Sequence, residues 1–159
     1  GSVRSVAISN DGQRIVSGSG DHTIKVWNLK TGDLENTLKG HSDVVHSVAI
    51  SSNGQKIVSG SWDKTIKVWN LNTGSLENTL EGHSSEVISV AISKNGQKIV
   101  SGGTDSIVKV WDFNTGDLEA TLEGHSSEVG SVVINHNGQK IVSGSGDSTI
   151  KVWDLQLLE

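Results

Sequence analysis

A chain of 159 residues with 13 basic and 18 acidic side chains has a formal charge of −5, and its basic residues are scattered, not clustered. That excludes the electrostatic footprint of a nucleic-acid or anionic-membrane binder, and no stretch approaches the ~20 apolar residues of a membrane-spanning helix. The chain has no cysteine, which rules out disulfides and thiolate metal sites, and with no signal peptide or basic amphipathic start it is expected in the cytoplasm.

Taken in order, the elements repeat. A first unit spans 3–39, a second 45–81, a third 87–123 and a fourth 129–155. Trp27, Trp69, Trp111 and Trp153 fall 42 residues apart, and Gly40-His41, Gly82-His83 and Gly124-His125 follow the same spacing. In the second unit Val44 to Ser51 reads as a strand, with Val45, Ser47, Ala49 and Ser51 on one face and His46, Val48 and Ile50 on the other. Asn53-Gly54 then predicts a tight hairpin with both turn residues at positive φ. Lys56 to Ser61 is the second strand and Asp63-Lys64 the next turn. Thr65 to Leu71 is the third strand, Asn72-Thr73-Gly74 turns the chain, and Leu76 to Glu81 is an outer strand whose Leu76 and Leu80 are spaced for one face. Each unit is therefore predicted to be a four-stranded antiparallel meander, with no helical period anywhere. The fourth lacks an outer strand, which leaves the edge Thr149 to Leu155 open.

A period of about 40–45 residues carrying Gly-His and Trp-Asp points to propeller blades. The chain resembles the WD-repeat β-propeller family over its whole length. The resemblance implies a hydrogen-bonded tetrad in each blade: His before the inner strand, Ser in the second strand, Asp in the next turn and Trp in the third strand. The tetrads fall at His41, Ser59, Asp63 and Trp69, at His83, Ser101, Asp105 and Trp111, and at His125, Ser143, Asp147 and Trp153. The first copy keeps Ser17, Asp21 and Trp27 without a His. A buried indole N–H needs an acceptor, and such a network is valuable only when every member is paired.

Clustered Ser, His and Asp also suggest a hydrolase triad. Here the set recurs in three units and is closed by Trp, so the expectation is structural and the chain is read as not an enzyme. The other histidines, His22, His46 and His136, occupy three different repeat positions, and neither a metal nor a cofactor is expected. Asp11-Gly12 lacks the alternating carboxylates of a calcium loop. The "SGSG" runs precede no helix that would cradle phosphate.

The copies differ most informatively at two places. Arg4, His46, Ile88 and Gly130 are equivalent, as are Gly20, Trp62, Thr104 and Gly146. By the resemblance both places lie on a ring face that commonly binds peptides and proteins, which makes Arg4, His46, Ile88, Trp62 and Thr104 candidate partner contacts on a non-catalytic scaffold. Four such blades imply half a ring with two apolar ends. Two chains are expected to close it as a homodimer of eight blades. The alternative is a fragment or designed repeat array without a ligand. The absence of Met, the opening Gly1-Ser2 and the closing Leu158-Glu159 fit that alternative.

Overall fold

The computed structural model describes residues 1–158 and is all-β, with four antiparallel sheets succeeding one another along the chain. The first blade is β1 (Val3–Ile8), β2 (Arg14–Ser19), β3 (Ile24–Asn28) and β4 (Leu34–Leu38), paired in that order. The second is β5 (Val45–Ile50), β6 (Lys56–Ser61), β7 (Thr65–Asn70) and β8 (Leu76–Glu81). The third is β9 (Val87–Ile92), β10 (Lys98–Gly103), β11 (Val108–Asp112) and β12 (Leu118–Leu122). The fourth is β13 (Val129–Ile134), β14 (Lys140–Ser145) and β15 (Ile150–Asp154), after which Leu155–Leu158 forms a single 3₁₀ turn. These are consecutive blades of a β-propeller.

Three local expectations are corrected. The Asn53-Gly54 hairpin is not a two-residue turn, and only Gly54 has positive φ, at 71°. The loop runs from Ser51 to Lys56, whose backbones pair at 3.0 Å, because the Asn53 side chain accepts the Gln55 N–H at 3.0 Å and builds a longer turn.

The inner strand does not alternate as read. Val45 pairs with Ser61 and Ser47 with Gly60, which leaves His46 as a bulged extra residue. The bulge rotates Val45 onto the side of Val48, and both pack against blade one, as does Ile50. Ala49 packs towards blade three. The outer strand is also bulged, between Val68 and Trp69 in the register of β7 with β8. Leu80 is therefore buried while Leu76 is exposed.

The core is a series of junctions between blades, not one central cluster. Val16, Ile24, Val26 and Leu38 of blade one meet Val45, Val48, Ile57, Trp69 and Leu71 of blade two. Equivalent residues form the next two junctions. The hydroxyl oxygens of Ser5, Ser47 and Ser89 accept the backbone N–H of Val48, Val90 and Val132 in the following blade, at 3.2, 3.1 and 3.1 Å. At the two ends the same residue types face outward. Val3, Val6 and Ile8 of blade one are 62–65% exposed, and Ile150 and Val152 of blade four are 75% and 66% exposed.

Glycine makes the close approach possible. A Cβ added at Gly60 would lie 2.8 Å from Val87 Cγ1 and 2.9 Å from Val90 Cγ1. Gly60→Ala should therefore lower stability by about 1–3 kcal/mol through overpacking, read as a lower urea midpoint. An unchanged midpoint would show that the junction between blades two and three is looser than its contacts imply.

Candidate functional site

Two constellations carry polar chemistry. The first is the set of tetrads. In blade two the Trp69 Nε1–H donates to Ser59 Oγ at 2.9 Å, and Ser59 Oγ lies 2.7 Å from His41 Nε2. His41 Nδ1 lies 2.6 Å from Asp63 Oδ2. With a carboxylate at Nδ1, that nitrogen carries the proton and donates, and Nε2 accepts from the serine hydroxyl. Polarity thus runs from indole to hydroxyl to imidazole to carboxylate. Blades three and four repeat the wiring through His83, Ser101, Asp105 and Trp111, and through His125, Ser143, Asp147 and Trp153, with links of 2.7–2.9 Å. Blade one holds Trp27 to Ser17 at 3.0 Å, while Asp21 accepts from the Thr23 N–H at 3.1 Å and from the Gly1 ammonium at 3.2 Å.

The aspartates also tie down the turn. Asp63 accepts the backbone N–H of Ser42 at 3.1 Å and of Thr65 at 2.9 Å, joining the strand entrance to the hairpin. Lys64, next in that hairpin, has φ of 74°, and His22, Ser106 and Ser148 sit at 68–72°. The side-chain cap of the Asp holds these non-glycine residues in the left-handed region. Burial would raise the Asp63 carboxyl, but the hydrogen bonds from His41 and Thr65 outweigh it and hold it well below the ordinary range. Asp105 is lowered against the same burial by His83 and by the Ile107 and Ser84 amides. At Asp147 the Thr149 hydroxyl is the leading cause of a lowered value.

Ser59, Ser101 and Ser143 are fully buried. Each Oγ accepts an indole N–H and lies within hydrogen-bond distance of an imidazole, and none is open to solvent. Among the described residues no side-chain polar atom is buried without a partner, and no group of three His, Asp or Glu is placed to hold a metal.

The second constellation is on the face where the inner strands enter. The bulge explains the variable position found in the sequence: Arg4, His46, Ile88 and Gly130 are the bulged residues of β1, β5, β9 and β13. A bulge aims its side chain out of the blade-to-blade packing, where the repeat is free to vary. Trp62 stands in the hairpin after β6, its backbone N–H donating to Val44 O at 3.0 Å, and remains 37% exposed. His46 stacks on it with ring centroids 5.9 Å apart and an interplanar angle of 20°. The Arg4 guanidinium from the neighbouring blade lies 5.8 Å from its centroid. Ile88 joins through its backbone, whose carbonyl accepts from His46 Nδ1 at 2.9 Å. Thr104 belongs to a separate polar set, 2.6 Å from Ser85 Oγ and 2.8 Å from Glu86 Oε2.

Sequence reasoning missed two groups. Lys67 and Lys109 are buried and donate to Thr79 and Thr121 at 3.0 and 3.1 Å. The serines of the inner strands reach across to the next blade. Both sets recur at the repeat spacing, which was the available signal, but pairing across strands and blades is not visible in one strand's pattern.

The family model described as WD domain, G-beta repeat matches residues 1–28, 32–70, 74–112 and 116–154. The chain is 59% identical over 32 residues to the Lissencephaly-1 homolog of Caenorhabditis briggsae, covering 20% of this chain and 8% of that protein. It is 53% identical over 38 residues to the pre-mRNA-splicing factor prp46 of Emericella nidulans, covering 24% and 8%. It is 49% identical over 43 residues to the nuclear distribution protein nudF of Aspergillus flavus, covering 27% and 10%. Each match is thus about one repeat long and spans a tenth or less of the relative.

Because the Asp63 carboxyl is lower in the folded chain than in the unfolded one, its contribution is fully present above the unfolded carboxyl's value, about pH 4, and is lost as pH falls towards the folded value. The urea midpoint should fall as pH drops from about 5 to 3. Asp63→Asn should flatten part of that dependence, and Asp63→Ala should remove about 1–3 kcal/mol at neutral pH. A wild-type midpoint independent of pH in this window would show that the carboxylate contributes nothing to the fold.

Proposed function

This chain belongs to the WD domain, G-beta repeat family, and on that basis we propose that it is a non-catalytic protein-interaction scaffold whose tetrads hold its blades rigid. The observation that supports this reading best is the exposed Trp62 with Arg4 and His46 against it. Tryptophan and arginine dominate the energetics of protein interfaces, and a stacked, pre-positioned indole loses little conformational entropy on binding. Ile88 and Thr104 flank this surface. A peptide or protein partner would lie across the blade-one, blade-two and blade-three entrances. Affinity capture from a cell lysate, comparing the wild-type chain with Trp62→Ala and Arg4→Ala, should lose the same proteins in both variants. Identical captures from all three would remove this face from the proposal and favour a repeat array that has no ligand.

The scaffold would act as a two-chain ring. The forward face of blade four presents Val142, Ile150 and Val152, the repeat equivalents of Val16, Ile24 and Val26. The backward face of blade one presents Val3, Val6 and Ile8, the equivalents of Val45, Val48 and Ile50. A second copy offers each end the half-junction that the interior already uses, and two junctions share one association cost of about 4–15 kcal/mol. Glycine provides the test. A Cβ at Gly18, Gly60 or Gly102 would fall 2.6–2.8 Å from a valine of the next blade, whereas at Gly144 nothing lies within 4 Å. Light scattering should give twice 16.8 kDa for the wild-type chain and a shift towards 16.8 kDa for Gly144→Ala, with the circular dichroism spectrum unchanged. A wild-type mass of 16.8 kDa at micromolar concentration, or a Gly144→Ala assembly as tight as wild type, would refute the ring.

A further inference from the structure

The hairpin between the first and second strands carries the same four residues, Asn-Gly-Gln-Lys, in three blades, at 53–56, 95–98 and 137–140. An asparagine before glycine reacts with its own backbone, because glycine has no side chain to crowd the attacking nitrogen. The glycine nitrogen gives its proton to hydroxide and attacks the asparagine Cγ. The N–Cγ bond forms, the Cγ–Nδ2 bond breaks, and Nδ2 takes a proton from water and leaves as ammonia. Water then adds to either carbonyl of the cyclic imide and opens it to aspartate or to isoaspartate, which has an extra methylene in the backbone. Before the ring can close, the asparagine amide must leave its hydrogen bonds and turn over the next peptide.

The fold holds the three amides differently. In blade two Asn53 Oδ1 accepts from the Ser51 hydroxyl at 2.7 Å and from the Gln55 N–H at 3.0 Å. In blade three Asn95 Oδ1 accepts from the Ser93 hydroxyl at 2.7 Å and from the Gln97 N–H at 3.2 Å. Its Nδ2 also donates to Gln97 Oε1 at 3.3 Å and to Asn137 O at 3.4 Å. In blade four Asn135 replaces the serine. Asn135 Oδ1 accepts the Gln139 and Lys140 N–H groups at 3.0 and 2.9 Å, the part that Ser93 Oγ plays for Gln97 and Lys98. It has no hydroxyl to donate. Among the described residues the Asn137 amide is held by Gln139 alone, from its N–H at 3.2 Å and to its Oε1 at 3.3 Å, and that N–H is shared with Asn135.

The glycine nitrogens are bonded alike. Gly54, Gly96 and Gly138 each donate to the carbonyl three residues back, at 2.8–3.0 Å. Gly138 is buried where Gly54 and Gly96 are half-buried, but the amide that must turn is exposed in all three. Blade one shows what the product meets. Asp11 stands where the asparagines stand, and its carboxylate accepts from the Ser9 hydroxyl at 2.6 Å and from the Gln13 N–H at 3.0 Å. The turn thus holds an aspartate, whereas the added methylene of isoaspartate would displace Gly138 from its left-handed position at φ of 74°.

We infer that Asn137 is the residue at which the folded chain deamidates, and that Ser51 and Ser93 guard Asn53 and Asn95 by holding their amides.

The test incubates the whole chain in mildly alkaline buffer, folded and in concentrated urea. Tandem mass spectrometry of its peptides follows, at each asparagine, the mass gained when an amide becomes a carboxyl. In the folded chain Asn137 should react about two- to tenfold faster than Asn53 or Asn95, the scale of one hydrogen bond. In urea, where Gly-Gln-Lys still follows each asparagine and the fold is lost, the three rates should converge. Asn135→Ser gives blade four the serine of the other copies. It should bring the folded-state rate of Asn137 down to that of Asn95, with the circular dichroism spectrum unchanged. Three results would each overturn the inference: Asn137 no faster than the other two when folded, a lead that persists undiminished in urea and so belongs to the neighbouring His136, or a rate that Asn135→Ser leaves as it was.

Discussion

The structure depends on one constraint: a single blade cannot bury its own apolar surface. Each sheet is apolar on both faces, as the junction residues Val58, Ile66 and Val68 on one side of blade two and Val45, Ile57 and Trp69 on the other make plain. Neither face is covered until a neighbour stacks on it. Stability is then a sum over junctions, as in any linear array of repeats. The repetition in the sequence follows from this. Every junction must present the same two surfaces, so Val, Ile, Trp and Gly recur at fixed positions while the solvent-facing ones drift.

The tetrad solves a second problem, the mobility of the turns. Strands of five or six residues joined by tight turns give little purchase to the loops at their ends. In blades two to four the Asp of the hairpin accepts the amide just ahead of its own inner strand, and is linked through imidazole and hydroxyl to an indole of the third strand. The chain of donors is polarised in one direction and closed at both ends, which is the condition under which a buried polar network is favourable. The same wiring in an exposed cleft would activate a serine. Here the serines are buried and each accepts an indole N–H, so the same order of hydrogen bonds stands in a different setting.

The entrance face is where the copies differ. The bulge in each inner strand takes one residue out of the packing register, so that Arg4, His46, Ile88 and Gly130 differ without disturbing a junction. The hairpin residue Trp62 sits beside this position. Packing demands are thus confined to the sides of a blade, and the positions that vary between copies are collected on its entrance face.

The amino-acid sequence by itself determined the repeat and the all-β class, because these depend on spacing and on short-range turn chemistry. It did not determine which way the inner strand faces. Simple alternation put Val45 opposite Val48, whereas a bulge at His46, set by the register with β6, puts them together. It did not show that only Gly54 of its hairpin needs a left-handed backbone, since the Asn53 side chain builds the rest of the turn. Nor did it reveal that Lys67 is buried against Thr79, or that Arg4 in one blade lies over Trp62 in the next. These contacts join residues in different strands or different blades. Their distances follow from how twisted sheets stack, and no pattern within a single strand encodes that stacking.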